Sequence, residues 1–414
     1  MSTAARTRIA SARPAARFAT LLGPAMVAGV AYLDPGNVAS NATAGARFGY
    51  LLVWVVVLAN ATAWLVQYLS AKLGLSTGRS LPGILGDRLR HPLARRLYWA
   101  QAELVAMATD IAEVLGGAIA LQLLFGLPLL LGGVITGVVS MLLLALHNRR
   151  GSRAFEAVVI GLLVVIAVGF CAGIVVAPLD GGAALGGLVP RFEGTGSVLL
   201  AASIVGATVM PHAIYAHSAL TRDRFGLVAP DQRRRVLVAT RIDVTIALVV
   251  AGTVNVVILL LSAATLRGVD GTDTLPGAYR AIGDALGPAV AILFAVGLLA
   301  SGLASTSVGA YAGAEIMAGL LRRRIPLLLR RVITMIPALL LLLLGVDPTF
   351  ALVLSQVALS FGIPFALVPL VWLTAKRSLL GDSANRWWTT VLAVVAAVLL
   401  VGLNVALLVL TIAG

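Results

Sequence analysis

Apolar runs of membrane-crossing length constrain this chain more than any other feature. A bilayer core offers backbone groups no water, so a segment that crosses it satisfies its N–H and C=O groups within a helix or a closed barrel. A helical crossing needs about 20 apolar residues. Eleven such runs are read, over 18–46, 49–73, 97–126, 128–147, 154–177, 195–221, 238–266, 285–321, 330–346, 350–375 and 387–412. Charged residues make up 12% of the 414, about half the usual share for soluble domains. The expected fold class is an all-α integral membrane protein, with residues 1–17 as a cytoplasmic arm and 18–412 as one transmembrane domain.

The formal charge of +14 invites a nucleic-acid reading. The distribution argues against it, because the basic residues lie in short loops between apolar runs and not in a groove with interleaved aromatics. With the N-terminus inside, the arm and the loops 72–96, 147–153, 222–241, 322–331 and 376–386 face the cytoplasm. All but four of the 31 Lys and Arg residues then lie on that side; the four are Arg47, Arg191, Arg267 and Arg280. This positive-inside bias supports both the count and the orientation, and it puts the C-terminus outside. A lone cysteine, Cys171, excludes a disulfide framework or a Cys-based metal site within the chain. The Arg-bearing first residues lack a convincing cleavage site and read as an arm, not a signal peptide.

The first run is interrupted at Leu33-Asp34-Pro35-Gly36-Asn37. Proline removes a donor and clashes with the preceding turn, and glycine adds backbone freedom, so carbonyls near Ala31 and Tyr32 are expected to lose helical partners. Such a break is tolerated in lipid only where the freed groups line a cavity or bind something. An ionisable residue at that depth is a functional candidate by default. The sixth run carries a second break, Val209-Met210-Pro211-His212. Runs one and six cross in opposite directions, and interrupted spans in matching positions of two halves are the signature of an inverted-repeat transporter with a midplane site. The halves are expected at about 18–177 and 195–375, with 387–412 as an eleventh helix outside the repeat. Asp34, Asn37, Met210 and carbonyls near Ala31 and Ala207 offer hard oxygens and one soft sulfur. Oxygen alone suits magnesium or calcium; a thioether tilts the preference toward manganese(II), iron(II) or cadmium(II). A lone transmembrane Met is ordinarily gap-filling; the place of Met210 directly before Pro211 sets it apart.

Run three holds Glu103, Asp110 and Glu113, at spacings that put all three on one helical face. They read as a track for protons, with Glu103 equally readable as a solvated interfacial acid. His212 follows the second break and could titrate or shape the site, and it reads equally as a satisfied structural histidine. His217 lies about 140° further around the helix, so the two do not form a two-histidine zinc face, and His217 reads as structural. Arg330 and Arg331 open run nine. Interfacial anchoring is expected for at least one of them, and the other could pair with a run-three acid at the end of a proton path. Gln356 is a mid-span amide that could complete an ion's shell. Asn255 and Thr109 are candidates for gating or polar support, with plain helix–helix hydrogen bonding as the simpler reading for Asn255 and Gln356. The small residues of Gly297–Gly313 read as close helix packing and nothing more.

The stretches LDPGNVASNATAGARFGY, QAELVAMATDIAEVLGGAIAL, GATVMPHAIYAHSAL, the RR-x-x-TMIPA run and LSQVALSFGIPFAL resemble the Nramp family (natural resistance-associated macrophage proteins), in particular its bacterial proton-coupled manganese transporters. The resemblance runs from about Leu21 through the tenth run. It implies a LeuT-like inverted repeat of five plus five helices and alternating access. The family's metal ligands would fall on Asp34, Asn37, Met210 and the carbonyls of Ala31 and Ala207, joined in some states by Gln356. Its proton-pathway positions match Asp34, Asp110, Glu113, His212, Arg330 and Arg331. Met210 argues against the magnesium- and aluminium-transporting relatives, which lack that thioether. Ala213 departs from the Asn that many members carry after MPH.

The function expected is import of divalent transition metal (manganese, also iron and cadmium) by symport with protons across a bacterial inner membrane. The metal is substrate, no cofactor is expected, and the partners are the metal ion, the proton and the lipid bilayer, with no obligatory protein partner. The main alternative is a sodium-coupled amino-acid symporter of the same architecture; the fixed acid Asp34 counts against it, since such a site presents helix N-termini to a substrate carboxylate. An intramembrane hydrolase lacks a GxSxG, an HExxH and an aspartate dyad, and a passive channel would pass metal without protons.

Overall fold

The computed structural model describes residues 23–150, 152–323 and 325–413. The cytoplasmic arm expected over 1–17 and the first residues of run one lie outside them. All regular structure among the described residues is helical. The eleven runs correspond to helices over Pro24–Phe48 (span one, interrupted), Val53–Thr77, Pro92–Phe125, Leu129–Arg150, Ser152–Cys171, Gly194–Phe225 (span six, interrupted), Pro230–Thr265, Pro288–Leu321, Leu327–Leu343, Pro348–Ala375 and Trp387–Ala413. Eight helical stretches among the described residues are long and apolar enough to cross a membrane by length and composition. One of these, Pro35–Thr77, contains the second half of span one and all of span two. The two meet at a 3-10 turn over Gly49–Leu52, where Gly49 takes φ 58°.

Neighbours across span seven fix the directions of spans one and two. A Cβ on Gly29 would meet Ala247, and one on Gly45 would meet Ser262, so span one runs with span seven. Gly252 lies opposite Asn60, and the Trp64 indole N–H donates to Thr245 Oγ1 at 2.9 Å, so span two runs against it. Between spans two and three, a short helix, Leu81–Arg88, is N-capped by Ser80 and ends beside the last turn of span eight. There Asp87 pairs with Arg79 and with Arg322, and these two guanidinium groups hold its carboxyl below the ordinary range.

Both breaks arise from one local rule. The residue before a proline is pushed out of the helical region, whereas proline itself suits the first position of a new helix. Asp34 accordingly takes φ −67°, ψ 162°, and Pro35 starts the second half of span one. Met210 takes φ −68°, ψ 121°, and Pro211 starts the second half of span six. The Gly297–Gly313 stretch does more than pack helices. Gly297 faces Phe170 and Gly169, as expected of close packing, but a Cβ on Gly313 would stand 2.0 Å from the Arg330 guanidinium and one on Gly309 2.9 Å from Glu113 Oε1. These glycines make room for buried charge.

Candidate metal site and the buried ionic track

Asp34 is the N-cap of the second half of span one. Its Oδ1 accepts from the Asn37 backbone N–H at 2.7 Å and from the Asn37 side-chain amide at 3.1 Å. A carboxylate there also faces the positive end of the helix dipole. The same Asn37 amide nitrogen donates to the Ala207 carbonyl at 2.6 Å. That carbonyl lies in the last turn before the second break, where the helix ends and leaves acceptors to be met from elsewhere. Thr208 Oγ1 donates to Asn37 Oδ1 at 3.2 Å, and Gln356 Nε2 reaches Asp34 Oδ2 at 3.4 Å. Asp34, Asn37, Gln356 and Met210 are each fully buried. One hydrogen-bonded cluster therefore joins spans one, six and ten, and it holds Asp34, Asn37, Ala207 and Gln356. Met210 lies buried at the second break, three residues beyond Ala207. Among the described residues no three His, Cys, Asp or Glu side chains converge in a metal-binding group; the donors gathered here are one carboxylate, amides and a main-chain carbonyl.

The freed carbonyls of span one differ from the expectation. The Ala31 carbonyl keeps a partner, the Asp34 N–H at 3.3 Å, because the helix tightens into a 3-10 turn before the break. The Tyr32 carbonyl accepts from Asn255 Nδ2 at 3.0 Å, and the Leu33 carbonyl accepts from the Ser301 hydroxyl. Asn255 thus makes a helix-to-helix hydrogen bond that supports the break, and its Oδ1 accepts from Asn41 at 3.3 Å.

Two glycines let span ten reach the cluster. A Cβ on Gly36 would fall 1.9 Å from Gln356 Nε2, and one on Gly206 would fall 1.9 Å from the Gln356 carbonyl oxygen. The second contact is with backbone, which yields less readily than a side-chain tip. Gly206→Ala is therefore expected to destabilise the protein by roughly 1–3 kcal/mol through overpacking, read as a lowered melting midpoint of the purified protein; an unchanged midpoint contradicts this packing.

Span three carries the second assembly. Arg331 donates through Nη1 to Asp110 Oδ1 and, at 3.1 Å, to Glu113 Oε2. Its Nε donates to Ser140 Oγ at 3.1 Å and its Nη2 to Thr306 Oγ1 at 3.2 Å. Arg330 pairs with Glu103 at 2.7 Å. Arg330 and Arg331 are only 4% and 1% exposed, so interfacial anchoring is wrong for both. A solvated Glu103 is wrong as well, since its side chain is 13% exposed and ion-paired. The physical reason is one of balance: carboxylates facing the bundle interior require buried counter-charges. Counted as ionised, three carboxylates meet two guanidinium groups with one negative charge over. Glu103 Oε2, Asp110 Oδ2 and Glu113 Oε1 have no hydrogen-bond partner.

Thr109 Oγ1 and His212 Nδ1 lie 3.1 Å apart, which ties the second half of span six to span three. His217 is buried against Gln67 Oε1 at 2.7 Å, as a structural histidine. The break in span one abuts the same helix, since a Cβ on Gly116 would lie 2.0 Å from the Pro35 ring. Sequence reasoning missed Ser140, Thr306, Ser301 and Thr208. Each is a small hydroxyl in an apolar helix, a pattern that ordinarily reports helix packing, and no local signal marks these four.

A family model described as "Natural resistance-associated macrophage protein-like" matches residues 25–410. The "Divalent metal cation transporter MntH" of Mycobacterium tuberculosis (strain ATCC 25618 / H37Rv) is 60% identical over 395 residues, covering 95% of this chain and 92% of its own. The protein of the same name from Bacillus subtilis (strain 168) is 46% identical over 391 residues, 94% and 91% of the two chains. A crystal structure of the Eremococcus coleocola manganese transporter superposes with a TM-score of 0.82 at 32% identity, over 94% of this chain and 86% of that one. Mhp1, a nucleobase-cation-symport-1 family transporter, shares the fold alone, with a TM-score of 0.58 at 16% identity over 94% and 92% of the chains. The body built around two facing broken spans is thus the LeuT-like one, and by the extent of these matches the chain belongs to the Nramp family.

Proposed function

We propose that the protein imports divalent transition-metal ions, manganese foremost and also iron and cadmium, by symport with protons through alternating access. In this reading it resides in a bacterial inner membrane, with the N-terminus cytoplasmic, the C-terminus outside and no obligatory protein partner. The observation that carries the reading is the convergence of Asp34, Asn37 and the Ala207 carbonyl at two facing helix breaks, with Met210 buried at the second break. The amide donors of Asn37 and Gln356 meet the two oxygens of Asp34. A cation takes the place of those donors, and both amides turn over to offer oxygen instead. Gln356 Oε1 has no partner to give up in doing so. A carboxylate, amide and carbonyl oxygens and the Met210 thioether form a set suited to borderline ions over magnesium or calcium.

The proton route begins at Asp34 and follows span three. Pro35 rests on Gly116, one turn from Glu113, and Glu113 shares Arg331 with Asp110. The surplus negative charge of that track is what an incoming proton neutralises, and the Thr109–His212 contact couples it to span six. One divalent ion plus one proton carries three charges, about 7 kcal/mol at 100 mV. That drive needs no metal gradient.

Purified protein in liposomes loaded with a metal dye and a pH dye tests this. Manganese added outside should produce metal entry with simultaneous acidification of the lumen. Metal entry without acidification removes the proton track. Absence of metal entry by a folded preparation that instead takes up amino acids with sodium favours the sodium-coupled symporter. In the same assay Met210→Ala should keep manganese uptake while calcium and magnesium become effective competitors. Unchanged competition by calcium would remove the sulfur from the selectivity argument.

A further inference from the structure

A groove of about 430 Å³ lies between spans two and seven, lined by residues of these two spans and none of the candidate metal site. Its lining includes Val57, Asn60, Trp64, Val249, Gly252 and Val256. Gly252 helps to form it; a Cβ there would stand 3.1 Å from Asn60 and narrow the floor. Val57 and Val249 on its rim are 44% and 60% exposed. A volume of this size lies within the range of small-molecule sites, and its long, apolar, membrane-facing form suits a hydrocarbon chain.

One end of the groove is built differently from the rest. Trp64 stacks on Tyr68 with ring centroids 6.2 Å apart, and the Arg241 guanidinium lies over the Trp64 ring at 5.5 Å. Arg241 and Arg234, two helical turns apart, are both exposed on the stripe of span seven that descends through Thr245 and Val249 to Gly252. Arg241 stands seven residues before Leu248, the first lining residue of span seven, or about 10 Å along the axis. The order along the helix is therefore cation, aromatic pair, apolar trough. It matches the order of a phospholipid from phosphate through glycerol to acyl chain, with interfacial aromatics at headgroup level. Arginine is suited to phosphate by charge and by its paired donors.

We propose that this groove is a binding site for one anionic phospholipid, with its phosphate on Arg241 and one acyl chain between spans two and seven. A surface that merely touches bulk lipid requires neither the trough at Gly252 nor an arginine laid over the ring that closes it. The site also has a structural consequence. The opposite face of span seven holds the break of span one through Asn255 and packs Ala247 on Gly29, so a lipid wedged here braces the helix that supports the metal site.

The test uses the full-length protein released from nanodiscs containing equal phosphatidylglycerol and phosphatidylcholine of matched chains, with retained lipids counted by native mass spectrometry. One phosphatidylglycerol should persist, preferred by roughly tenfold over phosphatidylcholine. Arg241→Gln should reduce that preference to near unity, and Val249→Phe, which fills the trough from its exposed rim, should remove the persistent lipid. Thr253→Phe serves the same purpose if the first variant fails to fold. Equal retention of the two lipids by the unsubstituted protein, or an unchanged phosphatidylglycerol adduct in a folded trough-filling variant, overturns the proposal.

Discussion

Replacing Arg331 with Leu should lower the stability of the protein by about 3–5 kcal/mol, the cost of leaving buried charges without their partner. The side chain is 1% exposed and donates to Asp110, Glu113, Ser140 and Thr306 from four different contacts on spans three, four and eight. Leucine fills much of the volume but satisfies none of these acceptors. Two carboxylates would then face each other in a medium of low dielectric. Melting of the purified protein in detergent measures the effect. The triple variant Arg331→Leu, Asp110→Asn, Glu113→Gln should regain a large part of the loss, because removing a whole buried ionic group is often nearly neutral whereas removing half of it is not. If the single variant melts within a degree of the unsubstituted protein, the guanidinium does not hold the track together.

Asp34→Asn should behave in the opposite way, with the fold retained and transport lost. Asparagine caps a helix about as well as aspartate, so the bond from the Asn37 N–H that starts the second half of span one can persist. What disappears is the negative charge at the centre of the cluster. Metal uptake into liposomes should fall by about 100-fold or more, equivalent to at least 2.7 kcal/mol of lost attraction for a divalent ion. The melting midpoint should stay close to that of the unsubstituted protein. Near-normal uptake would place the metal elsewhere, and an unfolded variant would show that Asp34 is chiefly a structural cap. Together the two substitutions separate the cluster at the breaks, where the proposal has charge serve binding, from the span-three track, where charge balance also serves folding.

Much of this was legible in the chain. Both breaks are local: a proline after Asp34 and another after Met210 dictate an extended residue and a restarted helix wherever the segments end up. Asp34, Asn37, Asp110 and Glu113 could be picked out because polar and charged residues in lipid-length apolar runs are costly and hence few. The failures are of another kind. Arg330 and Arg331 were open to an anchoring role because their position near the start of an apolar run says nothing of what they face. Ser140, Thr306, Ser301 and Thr208 were invisible because a hydroxyl in a helix has no distinctive spacing. The glycines at 309 and 313 were read as packing when they accommodate Glu113 and Arg330.

By itself the sequence determined the helical class, the positions of the two interruptions and which carboxylates had to be turned away from lipid, since each follows from backbone chemistry and desolvation along a single segment. Only the tertiary structure decided the pairings: Asn37 with the Ala207 carbonyl across 170 residues, Arg331 with Asp110 and Glu113 across more than 200, and Gln356 against Gly36 and Gly206. These depend on which faces of separate helices meet, and no local propensity encodes that; it is set by how small residues, buried charges and unpaired carbonyls are all accommodated in one packing.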